Sequence, residues 1–568
     1  MKKLIILAAA LLAFTVCGGS NTPDRIEIIS EDGSVTTAQK HGRTFTAGDV
    51  TVRFTKKDGG MAATLKAPGT KVKYVKAWWK GGTSRNALYL GDHWERTYGD
   101  LGWRRLDSTR TMPWYFISAE QPERLLGGAV AARGRMNGRD ERSEAPQGRC
   151  TGCGVMTGCN SFCSWNVDEQ GISLTMDVRS GSHGIDLGTR TLEMATILFF
   201  KGRKGESAFD ALHRFCKLMC PNPKLPEKPV YGVNDWYFAY GRNSEELITK
   251  VSGIISELVP ETDNKPYFVI DDGWAMYSFQ DDPGFEGKGG FIESNAKFPD
   301  MKRMADKIRQ AGFRPGLWMR PLSAWKGCDE SLLMPAFNPS ECDRYFDPTV
   351  PEVREYIRKC FETYHEWGYE MVKHDFSTVD IFQRWGNSMM DNGDITLGDW
   401  QFHDTTLTNA EVVLQFYRDI REAAGDICII GCNTVSHLSA GLFELQRTGN
   451  DTSGRAWGPT VHNGVNTLTA RSAQHNAFYS VDADCVGITT AVDWDHTKRW
   501  LDLCAGSGTA LFISPQPEAI GEEQRAAIRE AFTIAAQENP IGEPLDWMQT
   551  DWATRWKLLG KEVVFDWK

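Results

Sequence analysis

The sequence predicts an α/β protein: a (β/α)8 barrel of the TIM type, preceded by an N-terminal β-sandwich and followed by a short C-terminal β tail. Three observations carry that prediction. From Val230 onward, eight short apolar runs alternate with stretches of helical apolar spacing over roughly 290 residues, the rhythm of one such barrel. Before residue 205 the pattern is different: short runs such as Thr51–Phe54, Val72–Val75, Ile172–Val178 and Leu192–Phe200 are broken by Gly, Asp and Asn, as in antiparallel sheets. Between the two regions lies Pro221–Pro229, a proline-rich boundary. A chain of 568 residues is long enough for two or three domains.

Residues 1–20 read as a processing signal. Lys2-Lys3 precedes the apolar run Leu4–Phe14, which is too short to span a bilayer as a helix. Cys17 then stands where a bacterial lipoprotein is cleaved and lipidated. Val16 departs from the small residue usual before that cysteine, so plain secretion is the alternative. Either way the mature protein is exported, to the periplasm or onto the outer membrane.

Residues 24–205 form the expected β-sandwich. Within it lies Cys150-x2-Cys153-x5-Cys159-x3-Cys163. Two local disulfides are the first expectation for an exported chain, with a four-cysteine zinc site as the alternative. Residues 206–228 form a linker helix, in which Phe209, Leu212, Phe215 and Met219 share one face.

The barrel occupies residues 229–540. Its strands are expected at Val230–Tyr237, Pro266–Ile270, Arg314–Met319, Glu370–Lys373, Ile427–Gly431, Leu445–Thr448, Ser480–Cys485 and Thr509–Ser514. Helices are expected at Ser244–Leu258, Met301–Ala311, Val353–Trp367, Ala410–Ala424, Leu468–Tyr479, Trp494–Cys504 and Glu522–Gln537, with a short fifth one near Ser439–Phe443. The tail, residues 541–568, reads as a hairpin that must pack on the barrel.

Catalytic groups of such barrels sit at the C-terminal ends of the strands. Here those ends carry Asn234-Asp235-Trp236, Asp271-Asp272-Gly273-Trp274, Trp318-Met319-Arg320, Lys373-His374-Asp375, Cys432-Asn433, Arg447-x3-Asp451 and Asp482-Ala483-Asp484. So many carboxylates at one face would repel unless tied to cations, to each other or to substrate hydroxyls. With Lys, Arg and Trp beside them and no phosphate cradle, the set suits a sugar. Two carboxylates would cleave a glycosidic bond, a chemistry that needs no metal or cofactor. The 20 tryptophans suit stacking on sugar rings, although large barrels also bury aromatics. A net charge of −10 and the absence of a basic run exclude nucleic acid as a partner.

The ordered set Phe268-Val-Ile-Asp271-Asp272-Gly-Trp274, Gly316-Leu-Trp318, Lys373-x-Asp375, Arg447-x3-Asp451 and Val481-Asp-Ala-Asp484 resembles the retaining α-galactosidase clan, glycoside hydrolase families 27 and 36. It covers residues 229 to about 515, and the preceding sandwich is closer to family 36. The resemblance implies Asp375 as nucleophile and Asp451 as acid/base. It implies Asp271 and Asp272 as the acidic pair holding the 4- and 6-hydroxyls, and Lys373 as a contact to the 3- and 4-hydroxyls. Arg447 and Cys432 fall near the 2-position. Trp236, Trp274, Trp318, Arg320 and Asp484 are further substrate-binding candidates.

The chain departs from family 36 at His374, at Arg320-Pro321 and at Asn433–His437, which replaces a glycine-rich run. Arg320 would place a cation at the pocket rim and admit an acidic or sulfated sugar. Strand alternation puts His374 outside the pocket, opposite Lys373 and Asp375. Lys373 should keep Asp375 ionised, Asp451 should be protonated at rest, and Arg447 should point at substrate rather than at Asp451. The expected activity is a retaining exo-α-glycosidase acting on galactose. Alternatives are α-N-acetylgalactosaminide, β-L-arabinopyranoside, a transglycosylase, or a non-hydrolytic carbohydrate-binding lipoprotein.

Overall fold

The computed structural model describes residues 21–568 except 82, 84–86, 93, 107–115, 121–149, 277–289, 326, 335–343, 387–394 and 397. Residues 1–20, with Cys17 and the expected processing signal, lie outside the described residues. Two antiparallel sheets face each other in the N-terminal region. One has five strands, ordered Phe162–Asp168, Gly171–Asp177, Val72–Lys80, Arg25–Ser30, Val35–Thr37. The other has eight, running from Gln39–His41 through Val50–Lys57, Gly60–Lys66 and Leu192–Lys201 to Leu88–Asp92. Alternation explains the layers: in Val50–Lys57, Val50, Val52 and Phe54 turn inward while Thr51 and Arg53 turn outward. Trp79 of the first sheet meets Phe199 of the second with ring centres 5.6 Å apart, which ties the sheets together.

None of Cys150, Cys153, Cys159 and Cys163 is in a disulfide; all four are buried thiols. No group of three or more metal-ligating side chains occurs among the described residues. The disulfide expectation therefore fails. These cysteines fill the sandwich core as small apolar groups, a use that compartment alone does not predict.

Helix Ala208–Met219 follows, capped by Ser207 and burying the four predicted residues. The barrel strands are Tyr231–Asn234, Tyr267–Ile270, Arg314–Met319, Met371–His374, Cys428–Gly431, Leu445–Arg447, Ser480–Asp482 and Leu511–Pro515, all parallel. A bridge between Asp482 and Ala510 closes the ring. Strand 1 carries Gly232 because a Cβ there would sit 2.0 Å from the carbonyl oxygen of Tyr267.

Three elements differ most from expectation. Strand 7 breaks after Asp482 and resumes at Val486–Ile488, beside strand 8. Asp484 lies in the gap at φ 81°, held there by Tyr237, Thr452 and Arg447 as described below. After strand 6, one long helix is replaced by short turns, Thr460–Val465, Asn466–Arg471 and Ser472–Gln474. The tail is a three-stranded sheet rather than a hairpin, with Glu543–Pro544 added to Arg555–Leu558 and Lys561–Val564. It packs on the barrel through Leu558 against Gly506 and Trp567 against Trp457.

The two regions are firmly docked. Arg471 and Asp92 form a fully buried ion pair at 2.6 Å across them. Asn409 exchanges hydrogen bonds with the backbone of Gly181 at 2.7 and 2.9 Å.

Candidate active site

The floor of the pocket is built from strands 1, 2 and 4. Lys373 donates to Asp271 at 2.7 Å, and Asn234 donates to the same oxygen at 2.6 Å. Asp235, which sequence reasoning left without a role, accepts the Asp271 amide at 2.7 Å. Asn243 ties Asp235 to the carbonyls of Asp271 and Asp272. Burial first, then the neighbouring Asp271 charge, pushes both Asp235 and Asp272 up to about 7. The floor thus combines a carboxyl paired with the Lys373 ammonium and two carboxyls that burial raises to near neutrality.

Asp375 stands at the end of strand 4. Its two oxygens accept from the Trp318 indole at 3.1 Å and from the Phe376 amide at 2.8 Å. Phe376 itself is in the left-handed region at φ 63°, so the chain turns sharply just past the carboxylate. Burial alone would raise the Asp375 pKa. Lys373 and Arg96, with the indole hydrogen bond, outweigh it and hold the carboxyl below its ordinary value. This part of the sequence expectation agrees with the geometry.

The wall at strand 6 does not. Arg447 donates to Asp451 at 2.9 Å and also holds Asp484 at 2.7 Å and the Cys432 sulfur at 3.5 Å. It was expected to point at substrate instead. Arg96 adds a second contact to Asp451 at 3.5 Å. Burial pushes Asp451 up, but Arg447, Arg96 and Lys373 together pull it down to about 2. The Asp451 side chain is 49% exposed, so water screens part of that pull. The direction is still opposite to the raised value an acid needs, because both guanidiniums favour the carboxylate.

The remaining candidates separate. Asp484 accepts from the Tyr237 hydroxyl and from the Thr452 amide and hydroxyl, besides pairing with Arg447; it braces the arginine. Cys432 is wholly buried, and burial raises its thiol. Trp236 is half-buried in the short helix after strand 1, its ring 5.3 Å from Tyr240. Trp318 holds Asp375 rather than offering an open face. Trp274 is not in the pocket: it is fully buried among Phe291, Tyr364 and Trp367 and donates to the Trp318 carbonyl at 2.9 Å. Gly273, at φ 115°, turns the chain after Asp272, so alternation no longer applies there. Arg320 is not a loose cation at the rim. Asp380 takes it at 2.7 Å, and the guanidinium lies 4.4 Å from the Phe376 ring centre. His374 packs outside the strand against Phe416, Tyr417 and Phe443, as alternation required.

Arg96 is the residue that sequence reasoning missed. It comes from an irregular stretch of the N-terminal region and carries no pattern of its own. The link to Asp451 spans 355 positions of sequence.

No family model and no curated protein matches the chain. Solved structures do. The Thermus thermophilus α-galactosidase TtGalA, in complex with p-nitrophenyl α-D-galactopyranoside, has a TM-score of 0.57 at 15% identity, over 95% of this chain and 99% of that one. A variant of the family 36 α-galactosidase AgaA from Geobacillus stearothermophilus, in complex with 1-deoxygalactonojirimycin, has a TM-score of 0.56 at 13% identity, over 94% and 78%. The galactosidase domain of the α-galactosidase–sucrose kinase AgaSK has 0.54 at 13%, over 90% and 73%. The fold of this chain, sandwich and barrel together, is therefore the fold of these enzymes.

Proposed function

We propose that the protein is a retaining exo-α-glycosidase, best read as an α-galactosidase that removes terminal α-linked galactose from oligo- or polysaccharides. The observation that carries this reading is the state of Asp375. It is a buried carboxylate at a strand end, held ionised by Lys373 and aimed by the Trp318 indole. Asp375 attacks the anomeric carbon and forms a covalent glycosyl-enzyme; Asp451 protonates the leaving oxygen and then activates water. Asp271, Asp272 and Lys373 take the hydroxyls on the far side of the ring. Asp235 and Asp272, near neutrality, can either accept or donate.

With both guanidiniums on it, Asp451 favours its carboxylate form. The first step needs a proton on it, so sugar entry must draw Arg447 away, toward the 2-hydroxyl. The arginines on Asp451 are also the one observation that favours a non-hydrolytic sugar binder. A panel of aryl α- and β-glycosides decides between the two. α-Galactoside turnover with the α-anomer released first supports the proposal; sugar binding without turnover supports the binder. α-N-Acetylgalactosaminide or β-L-arabinopyranoside as the best substrate would keep the mechanism and change the sugar. The leader reading adds export and a lipid on Cys17, which the mass of the mature N-terminus tests.

A further inference from the structure

Four other buried arginines among the described residues have carboxylates of their own. Arg179 holds Asp177 and Arg471 holds Asp92 at 2.6 Å; Arg320 holds Asp380 and Arg447 holds Asp484 at 2.7 Å. Arg96 does not. Its side chain is 8% exposed, yet its tightest carboxylate contact is 3.5 Å, to Asp451, which Arg447 already holds at 2.9 Å. Its Nε is buried with no hydrogen-bond partner.

The chain nevertheless fixes this arginine with care. Glu95, next to it, accepts from the Asn433 side chain after strand 5, from the Gly386 amide after strand 4 and from the Tyr98 hydroxyl. The Trp94 carbonyl accepts the Ser436 amide at 2.7 Å. Thr97 pairs with the backbone of Thr448 and Asn450 at 2.8 Å each. Asn433–Ser436 is the stretch that departs from the glycine-rich pattern, and here it receives the N-terminal segment. An under-committed guanidinium held by three barrel loops, beside the half-exposed Asp451, is a group kept for a ligand.

Trp385 indicates which part of the ligand. The Arg96 guanidinium lies 5.5 Å from its ring centre, and Phe376, the neighbour of Asp375, packs on it at 5.7 Å. At 37% exposed it is the most open tryptophan among the described residues. An apolar face and a donor together, on the side of Asp451 where the leaving group must depart, match the C–H face and hydroxyls of a sugar ring. The surrounding Asp375 and Asp451 disfavour a further anion there, so the donor suits a neutral hydroxyl.

Resting on the glycosidase reading above, we propose that Arg96 and Trp385 bind the leaving-group sugar, so that the enzyme is built for oligosaccharides rather than for simple glycosides. The test uses raffinose, whose leaving group is a sugar, and α-galactosyl fluoride, whose leaving group is a single atom. Trp385→Ala is expected to lower kcat/KM on raffinose by about 10- to 100-fold and on the fluoride by less than about threefold. Arg96→Gln, which also removes a contact to Asp451, is expected to lower both, with the loss on raffinose about 10-fold the larger. Arg96→Lys should recover part of the loss. Equal losses on both substrates, or no loss on either, overturn the proposal. Trp385 is exposed, so Trp385→Ala keeps the test open if Arg96→Gln fails to fold. A wild type inert toward the fluoride refutes the α-galactosidase reading and this inference with it. A wild type active on the fluoride, with no selective loss in the variants, refutes this inference alone.

Discussion

On the floor of the pocket, Asp271 pairs with Lys373 at 2.7 Å, while Asp235 and Asp272 are pushed up to about 7. On the strand 6 wall, Asp451 lies between two guanidiniums and is drawn down to about 2. Both regions crowd carboxylates at strand ends, and they settle the repulsion differently. The floor offers one cation, so part of its acid stays near neutrality and can meet hydroxyls as they come. The wall offers two arginines and neutralises its acid outright. On the proposed function, the floor is ready for a sugar before it arrives, and the wall has to rearrange.

The largest test of the comparison removes the group both regions serve. Asp375→Ala should lose about 10⁴-fold or more in kcat on every substrate, since it removes the proposed nucleophile. Residual turnover of a tenth of wild type would mean that the nucleophile lies elsewhere.

Asp272→Ala comes next. A charge-assisted hydrogen bond is worth about 1.5–3 kcal/mol, so kcat/KM on galactosides should fall about 10- to 150-fold. Normal turnover of the best substrate would dismiss galactose while leaving a glycosidase in place.

The pH dependence of stability distinguishes floor from wall by sign. Asp272 and Asp235 have folded pKa values near 7, above the ordinary 3.8, so between about 4 and 7 the native state holds more protons than the unfolded one. Their contribution is present at low pH and is lost as pH rises through that window. Asp451 is lowered, so its contribution appears as pH rises from about 2 toward 4. Asp272→Asn should flatten the loss between pH 4 and 7 in denaturant melts. An unchanged slope would mean that Asp272 is ionised at rest.

The smallest effect on the chemistry belongs to Trp274. Trp274→Phe should cost about 1–2 kcal/mol of stability, through packing and its hydrogen bond to Trp318, and leave KM unchanged. A KM shift comparable to that of Asp272→Ala would return Trp274 to the pocket.

The floor was the more legible region. Asp271, Lys373 and Asp375 lie at the ends of apolar runs, where alternation fixes which way a side chain points. Strand 3 matches its expected span, Arg314–Met319, residue for residue. Legibility falls off beyond the first residue past a strand: Trp274 follows Gly273 at positive φ, so its direction could not be read from a period. Arg320 was misread because its partner, Asp380, lies 60 positions on. The wall depends on contacts remote in sequence: Arg447 was visible, but its bond to Asp484 crosses a break in strand 7, and Arg96 arrives from another region. The cysteines misled because the export expected from the first 20 residues permits disulfides without requiring them.

The central claim is that Asp375 and Asp451 have different roles despite sharing the same cations. It is tested most directly by the anomeric configuration of the azide product formed by Asp451→Ala. With an activated aryl α-galactoside this variant should accumulate the glycosyl-enzyme, and added azide should restore turnover and give the α-galactosyl azide, with retention. A β-azide, or no rescue from a folded variant that still binds galactose, would contradict the assignment.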